Sequence, residues 1–161
     1  MNALPAPNAS GPRHATGRGA CFAAFALLAI CGCGGTLLAT TQLRAQAAGI
    51  CAATQARTDR IRAPGTPAGA AVFIKQGTGF LSGELARLRT LQAASDLSGA
   101  YRTALSAFSR KLDALRDGAR ALGRGGDPLI AVKTLEQRLV PIEAQEDHAW
   151  RMLGIPACVN R

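Results

Sequence analysis

The chain has 161 residues, enough for one domain, and a formal net charge of +9. Hydrophobic residues make up 48% and aromatics only 4%, so any core is built mainly from Ala and Leu. Both favour helix over strand, which argues against a sheet-built domain.

Residues 1–18 hold three prolines, two glycines, Arg13 and Arg18, and read as a disordered basic tail. Residues 19–40, GACFAAFALLAICGCGGTLLAT, carry no charge. At about 1.5 Å rise per residue, roughly twenty apolar residues cross a bilayer core. Residues 19–41 are therefore expected to be a transmembrane anchor or signal segment, and three fates compete. The run stays as a single-pass anchor. Signal peptidase cleaves it, for which Ala45-Gln46-Ala47 has the small-x-small form although Arg44 and the length fit poorly. Or Cys33 is lipidated: Ala29-Ile30-Cys31-Gly32-Cys33 is lipobox-like, with Cys31 as its unusual feature. A buried helix of a soluble protein suits a charge-free terminal run less well. Arg13 and Arg18 on one side and Arg44, Arg57, Arg60 and Arg62 on the other leave the positive-inside rule undecided. The short tail and the cysteine usage place residues 42–161 on the extracytoplasmic side.

The remainder reads as about four helices. Thr41–Arg62 brings Leu43, Ala47, Ile50, Cys51 and Ile61 near one face, and RAPGTPAG then breaks it. A second helix spans about Ala70–Ala94, with Phe73, Ile74, Leu81, Leu85, Leu88 and Leu91 as its apolar set. Ser95 or Asp96 is the expected cap of the third. That helix repeats Tyr101, Leu105, Phe108, Leu112, Leu115, Ala119 and Leu122 at alternating spacings of four and three, a bundle seam. GRGGDP ends it, with Asp127 as cap and Pro128 in the first turn of the fourth helix. Val132, Leu135, Leu139, Ile142, Trp150 and Leu153 line that helix, Pro141 should kink or split it, and Gly154 stops it. The fold class is all-α: an N-terminal membrane-anchoring helix and an antiparallel bundle. Helix one lies near the end of helix four only if the final segment folds back.

Cys21, Cys31 and Cys33 fall in the apolar run, which leaves Cys51 and Cys158 at the two ends of the body. An even count in an exported domain reads as a disulfide. Two free buried thiols are the alternative if the body is cytoplasmic. A metal site is disfavoured, since the body has His148 as its one histidine and no C-x-x-C. A catalytic thiol at Cys51 would lack a basic neighbour in sequence.

RAQAAGICAAT and HAWRMLGIPACVNR together resemble a broad set of small exported actinobacterial proteins, through Ile50-Cys51 and Leu153-Gly154-Ile155-Pro156-Ala157-Cys158. The resemblance implies a membrane- or lipid-anchored helical protein with Cys51 and Cys158 paired, and it transfers no active site.

Motifs for catalysis are weak. Glu143, Asp147 and His148 form a polar cluster in EAQEDHAW, whose ordinary meaning is a solvated helix face. GTGFLSG, residues 77–83, lacks the Lys-Ser/Thr of a phosphate loop. Arg116, Arg120 and Arg124 make a basic ladder with Asp113 and Asp117 on the same helix. The aromatics that would stack on bases sit at core positions, so no nucleic acid is expected as partner. No cofactor and no metal are expected. The expected function is a non-catalytic envelope interaction or scaffold module whose partners are the membrane and an envelope protein or anionic surface. Alternatives are a binder of a small apolar or lipid-like ligand between Ala-rich helices and, with least support, an enzyme using His148 with Glu143 or Asp147.

Overall fold

A computed structural model describes residues 38–66 and 69–161. The basic tail, the apolar run as far as Leu37 and the candidate lipid acceptor Cys33 lie outside the described residues. Four helices follow in order: α1 (Thr40–Thr58), α2 (Ala70–Thr90), α3 (Ser95–Gly123) and α4 (Pro128–Leu153), with a 3-10 turn at Pro156–Cys158. Among the described residues none of these helices is long and apolar enough to cross a membrane.

The caps follow sequence chemistry where it is available. Asp127 accepts from the backbone N–H groups of Leu129 at 2.9 Å and Ile130 at 3.4 Å. Gly154 adopts φ 69°, the left-handed conformation that ends α4. The cap of α3 differs from expectation. It is Ala94, without a side-chain bond, and Ser95 and Asp96 fall inside the first turn. Replacing Asp127 with Ala is expected to lower stability by about 1 kcal/mol, since two N–H groups lose their acceptor; urea unfolding measures it. Pro141 does not split α4, which runs on through this exposed position. Buried Leu135 on one side and Ala149, Trp150 and Leu153 on the other hold both halves against the bundle.

The core gathers Leu43, Ala47 and Cys51 of α1, Leu85 and Leu88 of α2, and Tyr101, Ala104, Phe108 and Leu112 of α3. Ala149, Trp150 and Leu153 of α4 and Ile155 and Cys158 of the C-terminal tail, residues 154–161, complete it. Tyr101 and Trp150 meet edge to face at 5.9 Å, and the Tyr101 hydroxyl donates to Leu88 O at 2.7 Å. Burial pushes that phenol up to about 12, so it stays protonated and able to donate. Among the described residues every core residue lies between Leu43 and Cys158, so residues 38–161 carry that core and its cross-link.

α3 is rotated from the expected seam. Leu105, Leu115, Ala119 and Leu122 are only half-buried, whereas Ala104, Ala107, Lys111, Ala114 and Gly118 are buried. Small residues permit the close approach of α4. A Cβ built on Gly118 would sit 2.6 Å from Leu135 Cδ2.

The final segment does fold back. Arg44 Nε donates to Leu153 O at 2.7 Å, and Cys158 is bonded to Cys51 across 107 residues of sequence, with Cα atoms 5.3 Å apart. The tail thus seals the space between α1 and the end of α4. The other end of the described chain is also fastened, by Leu38 N–H donating to Gln92 O at 2.9 Å.

Candidate functional site: a buried charge cluster under the tail

Four charged side chains converge beneath the tail. Glu84 comes from α2, Lys111 from α3, Glu146 from α4 and Arg161 from the tail. Both glutamates are essentially inaccessible, and the Lys111 and Arg161 side chains are at most 7% exposed. Arg161 donates to Glu84 and lies 3.5 Å from Glu146 Oε1, with its Nε on Cys158 O at 2.9 Å. Its guanidinium stacks 5.0 Å from the centre of the Phe108 ring. Lys111 Nζ pairs with Glu143 at 3.3 Å and Glu146 at 3.5 Å and donates to Arg161 O. Trp150 Nε1 donates to Glu146 Oε1 at 3.2 Å.

The cluster is neutral in sum but incompletely satisfied. Among the described residues, Glu84 Oε2, Glu146 Oε2 and Arg161 Nη2 are buried without a hydrogen-bond partner. The latter two have only ion-pair neighbours at 3.5 Å. Burial pushes the Glu84 carboxyl above the ordinary carboxylate range; Arg161 opposes the shift and Glu146 adds to it. Burial likewise raises Glu146, opposed by Lys111, then Arg161. In each carboxyl desolvation outweighs the neighbouring cations.

A cavity of about 210 Å³ adjoins the cluster. Ile61, Ile74, Leu81 and Leu115 give it apolar walls, and Thr54, Glu84 and Arg161 a polar end. An engineered cavity of about 150 Å³ admits a benzene-sized guest, so this volume suits a small ligand.

The residues singled out from sequence are divided among different surroundings. Cys51 and Cys158 are joined and fully buried. Glu143 meets Lys111, while Asp147 accepts from Asn160 N–H at 2.9 Å and pairs with Arg151 at 3.4 Å. His148 is exposed and pairs with neither. Arg116 and Arg120 pair with Asp113 and Asp117 on their own helix. Among the described residues no group of three or more His, Cys, Asp or Glu is placed to hold a metal ion.

Sequence reasoning missed Glu84, Lys111, Glu146 and Arg161, although three of them carried a signal. Glu84 follows Leu81 and precedes Leu88 at spacings of three and four, and Glu146 follows Ile142 and precedes Leu153 at four and seven. Lys111 stands in the small-residue stripe of α3. A charge in a seam position needs a buried partner, and these provide for one another.

No protein-family model, no curated protein and no solved structure matches this chain.

Proposed function

We propose that the chain is a membrane-tethered extracytoplasmic module that acts by binding and not by catalysis, as an interaction or scaffold element of the cell envelope. The buried Cys51–Cys158 bond carries this reading. Such bonds persist in oxidising compartments, and the charge-free run of residues 19–40 supplies the tether. The buried acids and bases, which elsewhere would suggest proton transfer, here fasten the tail to three helices. The likeness to small exported actinobacterial proteins supports the same reading.

Peptide mass spectrometry of native protein from membranes, without reductant, tests it. The expected result is a Cys51–Cys158 linked peptide in protein that retains residues 19–40. A diacyl mass at Cys33 would keep the body and change the tether to lipid. Free thiols at both body cysteines would place the body in a reducing compartment and end the exported reading.

A second reading takes the cavity beside Glu84 and Arg161 as a site for a small apolar ligand with a polar end. Native mass spectrometry decides it by the presence or absence of a co-purifying small molecule.

A further inference from the structure

The bases of this body are unevenly distributed. Residues 95–161 carry ten Arg or Lys against eight acids, and most of these charges sit on mixed-sign helices. Residues 38–94 carry seven against two, Asp59 and Glu84. Glu84 is fully buried and spent on Arg161. Asp59 is therefore the only acid that the α1–α2 half exposes, and it accepts from Gln55 at 2.6 Å. Arg57, Arg60, Arg62, Lys75 and Arg89 are exposed on that half, without an acidic partner among the described residues.

Apolar side chains are exposed among these cations. One groove, about 600 Å³, sets Phe80, 39% exposed, beside Arg57, Arg60 and Arg62. The other, about 530 Å³, sets Val72, 61% exposed, beside Lys75. α2 contributes to both, and Arg116, Ala119 and Arg120 of α3 form the other wall of the second. Gly79, which lines the second groove, and Gly83 face open space, so the α2 backbone itself can be approached closely.

We infer that the α1–α2 face docks on an anionic phospholipid surface. Lysine and arginine near such a surface are attracted by its negative potential, while apolar side chains enter the headgroup boundary. A soluble polyanion would use the cations and leave Val72 and Phe80 in water. The inference deepens the envelope-module reading, which supplies the surface, but the face can be tested without the tether.

The experiment is co-sedimentation of residues 38–161 with vesicles of phosphatidylcholine alone or with one third phosphatidylglycerol. Binding is expected to the anionic vesicles and not to the neutral ones, and should weaken as salt shortens the screening length. The triple variant Arg60→Gln/Arg62→Gln/Lys75→Gln should bind about a hundredfold more weakly, at about fivefold per charge removed. A control with the same net charge, Arg102→Gln/Arg110→Gln/Lys133→Gln on α3 and α4, should bind like the parent. All six side chains are exposed, and circular dichroism checks that each variant is folded. Val72→Ser should also weaken vesicle binding while leaving its salt dependence unchanged. Equal binding to both vesicle types, equal loss in the two triple variants, or full competition by soluble polyphosphate with no effect of Val72→Ser would each overturn the inference. Because the tethered segment is absent from this experiment, a cytoplasmic body with free thiols could still bind. An exported body could equally fail to bind.

Discussion

Removing the Cys51–Cys158 bond, by Cys51→Ala/Cys158→Ala or by reductant, is expected to lower stability by about 4–5 kcal/mol. In the chain-entropy model a cross-link acts on the unfolded state, and this one closes a loop with a sequence separation of 107. For a body of this size the midpoint of thermal unfolding should fall by roughly 15–20 °C. The fold itself should survive, because the tail has other attachments. Ile155 is buried, Arg44 holds Leu153 O, Asp147 holds Asn160 N–H, and Arg161 is paired under the tail. Urea unfolding with and without reductant measures the difference. A change below about 1 kcal/mol would mean that the reduced, unfolded chain is already compact around these residues, so that the cross-link removes little of its freedom.

The helices were legible in the sequence because their signals are local. Seam spacing set the extent of α3, Asp127 and Pro128 marked the start of α4, and Gly154 marked its end. The pairing of Cys51 with Cys158 is legible from elimination together with the expectation of an exported body, and it requires the return of the C-terminal tail. What was not legible depends on rotation. The spacing puts the apolar stripe of α3 in the core, yet the helix turns so that Ala104, Ala107 and Gly118 face inward beside Tyr101, Phe108 and Leu112. Nothing local distinguishes these settings, since alanine fits either a buried or an exposed helix surface. Close packing against α4, seen at Gly118 and Leu135, decides the matter. That rotation brings Lys111 inside, and Lys111 in turn needs Glu146. The charge cluster was therefore hidden by the same rotation. Arg161 carried no signal at all, because its role depends on where the tail is pinned.

Breaking the cluster from the tail side should cost nearly as much as opening the disulfide. Arg161→Ala leaves Glu84 buried with no cation on its carboxylate, a loss of about 3–5 kcal/mol. Glu84→Gln on the same background should recover much of it, because the uncompensated charge is removed; a double-mutant cycle in urea isolates the coupling. The pH dependence has a definite sign. Burial raises the folded-state pKa values of Glu84 and Glu146 above the ordinary carboxylate range, so between the unfolded and folded values the native state holds more protons. The stabilisation from this pair is thus fully present below the unfolded value and is lost as pH rises through the folded one. Stability attributable to the cluster therefore increases on mild acidification, opposite to the behaviour of a carboxylate whose pKa is depressed by its salt bridge. The Glu84→Gln/Glu146→Gln protein should show a flatter profile from pH 5 to pH 8 and should gain on the parent toward the alkaline end. Parallel profiles would show instead that both carboxylates are ionised throughout, with Lys111 and Arg161 outweighing their burial.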